Sequence, residues 1–131
     1  MMKKNLLFIS VYLFVTSAFA VPGYNNSQFD LNEAIQGDEK VLLVFGASWC
    51  SPCKTMIEDV WSVQEFKNFV DDLGVKKFYF DTDQHSALSS QWNVTTIPTW
   101  FTLQGSTTVQ QNGSMTIRGA ERVISESFPS R

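Results

Sequence analysis

The chain has 131 residues, of which 44% are hydrophobic and 14% aromatic, and its formal net charge is −3. This length fits one compact domain with a single core and leaves no room for a second domain. The surplus of acidic residues argues against nucleic acid as a partner.

The first 20 residues have the pattern of a secretory signal peptide. Lys3 and Lys4 form a short basic start, an apolar stretch follows, and Ala18-Phe19-Ala20 is a small-residue cleavage pattern. An uncleaved membrane anchor is the alternative, but the apolar stretch is shorter than the roughly 20 residues that a spanning helix needs. The sequence therefore predicts cleavage after Ala20 and a periplasmic or secreted protein.

The mature chain is predicted to begin with a loose leader over 21–28, followed by one domain over 29–131. The leader contains proline and glycine, which favour irregular structure. The apolar residues that follow have helical spacing and predict a short amphipathic helix, capped by Ser27 or Asp30 and ended by Gly37. These apolar residues are Phe29, Leu31, Ala34 and Ile35.

The stretch Val41–Phe45 is continuously apolar and predicts a strand that is buried on both faces. The motif Trp49-Cys50-Ser51-Pro52-Cys53 follows it after three residues. Open α/β sheets place their active sites at the carboxyl ends of their strands. The motif is therefore the candidate functional site.

Cys50 and Cys53 are the only two cysteines of the chain, and their spacing suits redox chemistry. If a helix begins here, Pro52 fits its first turn, and Cys53 lies one turn after Cys50, within bonding reach. The helix N-terminus favours a thiolate at Cys50 and lowers a thiol pKa from about 8.5 to roughly 3.5–7.5. Such a thiolate attacks disulfides, and the second thiol resolves the mixed disulfide.

Two other interpretations of the pair stay open. An inert staple is one, although a bridge across so small a loop constrains the unfolded chain very little. A copper or zinc site is the other, with Met56 or His85 as further ligands. His85 is the only histidine and there is no second cysteine pair, so the usual four-ligand set is not filled.

The remaining elements alternate between helix and strand. A helix is predicted from Ser51 to about Val60, and a capping box over Ser62–Glu65 predicts that it restarts near Trp61. A strand over Val75–Phe80, a short helix over Gln84–Gln91 and a hairpin follow. The hairpin consists of Trp100–Leu103 and Thr107–Gln111. Gly113 marks a bulge or a close backbone approach, and a last helix starts after its cap Thr116 and carries Ile117, Val123, Ile124 and Phe128 inward.

With these elements in place, the chain resembles the thioredoxin superfamily from Phe29 to Phe128. The resemblance rests on the strand that leads into the cysteine motif, on Asp81, on Ile97-Pro98-Thr99 and on Gly113. It implies an α/β thioredoxin-like fold with a central mixed β-sheet flanked by helices. The part over Asp59–Phe66 is similar to the C-terminal domain of DsbD.

The resemblance also implies roles for individual residues. In the family the proline matching Pro98 is cis and its loop lies against the sulfurs, so Ile97 would offer its backbone to a substrate strand. Trp49 would flank the substrate groove, and a tryptophan in the core is the competing expectation. Cys50 would exchange with protein thiols and disulfides and Cys53 would resolve, with no organic cofactor or metal.

Two departures from the family pattern bear on mechanism. Val44 stands where cytosolic thioredoxins have a buried aspartate, so the base for Cys53 is unassigned, and Lys77, Glu58 and Asp59 are expected to be solvated charges. The dipeptide Ser51-Pro52 matches neither thioredoxin nor DsbA.

A proline before the second cysteine resembles the reducing branch of the superfamily more than the DsbA branch. The resemblance therefore implies a reductant, which would receive electrons from a membrane donor of the DsbD kind. The alternative functions are a thioredoxin-like copper or zinc binder and a non-catalytic interaction module.

Overall fold

The structure is a computed structural model that describes residues 20–129. The predicted signal peptide therefore lies outside the described residues, apart from Ala20. Within 20–129, none of the helices combines the length and the apolar character that crossing a membrane requires.

The first helix and strand form largely as the sequence predicts. The helix α1 spans Gln28–Gln36, and the hydroxyl of its N-cap Ser27 accepts a hydrogen bond from the Asp30 amide at 3.1 Å. The strand β1 spans Val41–Gly46 and is buried along its whole length. Phe29 does not lie on a buried apolar face of this helix, as its spacing predicted. It lies 72% exposed on the outer side of α1.

Three more strands complete a sheet with the order β2-β1-β3-β4. The strand β2 (Lys76–Asp81) runs parallel to β1, and β3 (Thr99–Gln104) runs antiparallel to β1. The strand β4 (Thr107–Asn112) pairs with β3 in a hairpin. The sheet is therefore mixed, and the central β1 receives hydrogen bonds from both sides.

Successive residues of β1 point to opposite faces of the sheet, and each face has its own core cluster. The larger cluster contains Leu42, Val44, Tyr79 and Trp100, packed against the helical segments that follow the cysteine motif and against the last helix. The smaller cluster lies under α1 and the short helix α4 (Ser86–Gln91). Helices thus cover both faces, which is the predicted α/β architecture.

The expectation of a loose leader is wrong for 21–28. Val21 and Tyr24 are 3% and 8% exposed and belong to the larger core cluster. Asn25 pairs with Phe78 as a short parallel bridge beside β2. The Tyr24 hydroxyl donates to the Trp61 carbonyl at 2.9 Å. The segment is fixed because it buries the Val21 and Tyr24 side chains, a gain that outweighs the conformational freedom of its glycine.

The helix after the cysteine motif is interrupted near Trp61, as predicted, but the capping box does not form. The helix α2 (Ser51–Met56) continues into a π-helical segment over Ile57–Trp61, and α3 begins anew at Gln64–Asp72. Val63 is the N-cap of α3, and no side chain caps it. Ser62 is still the C-cap of the π-helical segment and has helical φ and ψ, so it does not adopt the extended conformation of an N-cap.

The last helix of the described residues is α5 (Ile117–Ser127), capped by the Thr116 hydroxyl as predicted. Ile124 and Phe128 are buried, whereas Ile117 and Val123 are only partly buried against the larger cluster. Gly113 adopts a φ of +85° with open space around it, so the conformation rather than a close backbone approach favours glycine there.

Candidate redox site

Cys50 and Cys53 form a disulfide at the start of α2, with their Cα atoms 5.2 Å apart. Cys50 is the N-cap of the helix, and its sulfur accepts a hydrogen bond from the Cys53 amide at 3.2 Å. Ser51 and Pro52 form the exposed first turn between them. The motif thus starts a helix, as predicted, because proline suits a turn whose amides have no intrahelical partners.

This position makes the two sulfurs chemically different. The amide at the helix N-terminus already points at Cys50 Sγ, so a negative charge there is stabilised when the disulfide opens. Cys53 lies inside the fold with 1% exposure, against 5% for Cys50. The arrangement favours Cys50 as the attacking sulfur and Cys53 as the partner that resolves.

The loop before β3 lies against the cysteines. The Ile97–Pro98 peptide bond is cis, which the family resemblance implied. The Ile97 carbonyl oxygen is 3.8 Å from Cys50 Sγ, and the Ile97 side chain packs on Ala47 and the two cysteines. The Pro98 carbonyl accepts a hydrogen bond from the Gly113 amide at 2.8 Å. The structure therefore brings Ile97 and Pro98 to the disulfide, 44 or more residues away in sequence.

Trp49 lies on the surface beside the disulfide, with 67% of its area exposed. This excludes the alternative of a core tryptophan. Its indole Nε1 donates to the Asp83 carboxylate at 2.8 Å. Asp81 in turn accepts hydrogen bonds from the Asp83 and Gln84 amides at 2.8 and 3.2 Å. Asp83 is a site neighbour that sequence reasoning missed, since no local pattern joins it to Trp49.

The charged residues considered for Cys53 lie in different environments. Glu58 and Asp59 are exposed, as expected. The expectation of a solvated charge is wrong for Lys77. Its side chain is only 9% exposed, forms an ion pair with Asp71 and lies over the Tyr24 ring. Val44 is fully buried in the larger core cluster. None of these charged residues therefore takes the position of the family's buried aspartate, which Val44 occupies.

A metal site finds little support in the described residues. Within 20–129, no group of three or more His, Cys, Asp or Glu side chains could hold a metal ion. The Met56 sulfur accepts a hydrogen bond from the Met115 amide at 3.2 Å. The His85 ring packs on Phe80, which belongs to the smaller core cluster on the other face of the sheet. Each candidate ligand thus has a packing role of its own.

The chain is similar in sequence and in fold to known proteins. The chain is 34% identical over 83 residues to a thioredoxin of Alicyclobacillus acidocaldarius subsp. acidocaldarius, a match that covers 63% of this chain and 74% of the relative. It is 29% identical over 103 residues to a protein disulfide-isomerase of Schizosaccharomyces pombe, covering 74% of this chain and only 27% of the isomerase. A mutant thioredoxin from Halobacterium salinarum NRC-1 has a TM-score of 0.66 at 21% identity, covering 82% of this chain and 91% of that structure, which supports the fold.

The thioredoxin family model matches residues 21–126, which is nearly the whole described domain. The matched residues include those of the buried β1 strand, of the Cys50–Cys53 disulfide and of the cis Ile97–Pro98 bond. It follows that the chemistry of the site is thiol–disulfide exchange with protein thiols and disulfides. The chain belongs to the thioredoxin family and is a thioredoxin-type thiol–disulfide oxidoreductase.

Proposed function

We propose that this oxidoreductase is exported and reduces disulfides in other proteins of the same compartment. The single observation that supports the exchange step of this proposal is the placement of the sulfurs: Cys50 caps α2 next to the Ile97 carbonyl, and Cys53 is more deeply buried. A substrate disulfide can reach the first sulfur, and the second then completes the exchange intramolecularly.

The surface around Cys50 suits an extended peptide. Ile97 lies in the loop that precedes β3, so its backbone can pair with an incoming strand. Trp49 offers an exposed aromatic face at one side, and its hydrogen bond to Asp83 fixes the ring. An ordered aromatic side chain binds apolar residues at a low entropy cost. Ile97, Pro98 and Trp49 are therefore the proposed substrate-binding residues.

Export is supported by the N-terminal pattern of the sequence. Val21, the first residue after the proposed cleavage, is 3% exposed, whereas Ala20 is exposed. Cleavage after Ala20 would leave the described domain intact. A reducing enzyme outside the cytoplasm needs a supply of electrons, for which we propose a membrane donor of the DsbD kind.

The redox potential of the Cys50–Cys53 pair tests the direction of the reaction. The pair is expected to equilibrate with a glutathione buffer near the thioredoxin value of about −270 mV, since Pro52 precedes the second cysteine as in the reducing branch. Equilibrium can be followed by alkylation and mass spectrometry. A potential near the DsbA value of about −120 mV would reverse the direction and make the protein an oxidant.

Export has its own test. Expression of the full chain in a bacterium with a periplasm is expected to give an osmotic-shock fraction that contains a protein starting at Val21. The variant with Ala18→Arg and Ala20→Arg is the control, because bulky charges at these positions block signal cleavage. An unprocessed wild-type chain that stays in the cytoplasm would refute export but leave the exchange chemistry untouched.

A further inference from the structure

The hydroxyl group of Tyr79 lies in the space that a side chain at position 46 would occupy, and Cβ of Cys53 borders the same space. A Cβ atom placed on Gly46 would overlap the Tyr79 hydroxyl and would lie 3.4 Å from Cβ of Cys53. The hydroxyl and the buried cysteine thus border the same small volume. Glycine at position 46 is required by this close approach, since its φ is not in the left-handed region.

Sheet register explains why the tyrosine points there. Tyr79 on β2 pairs with Val44 on β1, and Gly46 follows two residues later on the same face. This face packs against α2, the helix that carries Cys53. The Tyr79 ring is 2% exposed and packs edge-on against Tyr24 with the ring centroids 6.4 Å apart. Packing therefore holds the phenol in place and directs its hydroxyl past Gly46.

The exchange reaction places a charge on the buried sulfur. When a thiolate attacks Cys50 Sγ, a new S–S bond forms, the Cys50–Cys53 bond breaks, and its electron pair stays on Cys53 Sγ. In the opposite step, the Cys53 thiolate attacks Cys50 Sγ of the mixed disulfide and releases the other thiolate. Cys53 is 1% exposed, so this charge needs a hydrogen-bond donor within the protein.

We propose that the Tyr79 hydroxyl donates a hydrogen bond to Cys53 Sγ whenever that sulfur carries the negative charge. The bond makes Cys53 a better leaving group when the disulfide opens and increases the thiolate fraction available for resolution. Tyr79 would thereby compensate for the apolar Val44 at the position where the family has a carboxylate. The inference concerns exchange itself and holds for either direction of electron flow.

A donor role, rather than that of a base, agrees with the surroundings of Tyr79. Burial, assisted by the negative charge of Asp81, raises the pKa of the Tyr79 hydroxyl above its ordinary value. The phenol therefore keeps its proton at neutral pH and is available as a hydrogen-bond donor. Asp81 on the same strand and Tyr24 in the leader also interact with this side chain.

The ionisation of Cys53 tests the proposal directly. In a Cys50→Ser background, which leaves Cys53 as the single thiol, thiolate absorbance across a pH series gives its ionisation constant. Tyr79→Phe is expected to lower that constant about tenfold or more, because a hydrogen bond to a charged group is lost. With both cysteines present, the same substitution should slow the reduction of the disulfide by dithiothreitol by a similar factor.

Tyr24→Phe is the matched control, because it also removes one buried hydroxyl, which donates to the Trp61 carbonyl at 2.9 Å. It is expected to lower stability and to leave Cys53 ionisation unchanged. Gly46→Ala keeps the Tyr79 phenol but displaces its hydroxyl, so it should also lower the ionisation constant of Cys53. This variant replaces Tyr79→Phe as the test if Tyr79→Phe does not fold. The proposal is overturned if Tyr79→Phe changes the Cys53 ionisation constant less than twofold. It is also overturned if Tyr24→Phe changes that constant as much as Tyr79→Phe does. Where Tyr79→Phe does not fold, a change of less than twofold in folded Gly46→Ala overturns the proposal.

Discussion

Cys50→Ser is expected to reduce the turnover of protein disulfides to the uncatalysed rate, whereas Cys53→Ser is expected to trap substrates as stable mixed disulfides. Insulin reduction with dithiothreitol as the electron source measures the first effect. Non-reducing electrophoresis with a substrate disulfide measures the second. The two variants differ by one sulfur each, so any difference between them reports the separate roles of the two cysteines.

The asymmetry follows from the geometry of α2. Cys50 is the helix N-cap, where the Cys53 amide already donates to its sulfur, and Ile97 lies beside it. A serine hydroxyl is not ionised at neutral pH, so Cys50→Ser removes the nucleophile. Cys53 lies behind that first sulfur, and its loss leaves attack possible but prevents release of the product.

The double variant, with serine at both positions, is the control and should neither turn over nor trap. A trapped complex that persists in the double variant would show association without exchange. Equal turnover by the two single variants would contradict the assigned roles. Trapping by Cys50→Ser instead of Cys53→Ser would exchange the roles of the two sulfurs.

Structural features that depend on a few neighbouring residues could be predicted from the sequence. The buried strand and the helix start at Pro52 follow from local apolar pattern and turn chemistry, which is why the cysteine pair could be placed before the fold was known. The family resemblance added the cis bond before Pro98, which no local propensity would have indicated. The break near Trp61 was predicted from a capping box over Ser62–Glu65, and the break is present although Val63, not Ser62, is the N-cap of α3.

Features that depend on contacts between distant segments were not predictable. Trp49 and Asp83 are 34 residues apart, and only the folded loops bring the indole to the carboxylate. The burial of Tyr24 depends on the sheet edge that receives the leader. The burial of Tyr79 agrees with its place in the strand β2. Its contact with the space beside Gly46, however, depends on the pairing register of β1 and β2, which the sequence does not give. The residues proposed to tune the reaction therefore belong to this second class.

Trp61→Ala is expected to lower the free energy of unfolding by about 3–5 kcal/mol, which is the usual cost of emptying a buried tryptophan site. Trp61 is fully buried, and its ring meets Phe66 and Trp100 edge-on with centroid distances of 5.4 Å. Its Nε1 has no hydrogen-bond partner among the described residues, so the loss is one of packing. Such a loss is a large part of the roughly 5–15 kcal/mol that stabilises a domain. Urea unfolding followed by circular dichroism measures it.

Trp49→Ala is the matched control, because the same change is made at a tryptophan that is 67% exposed and bonded only to Asp83 across the surface. It should lower stability by about 1 kcal/mol or less. Trp61→Phe should fall between the two, since it keeps an aromatic ring in the same cluster. A similar loss for Trp61→Ala and Trp49→Ala would contradict the assignment of Trp61 to the packed core.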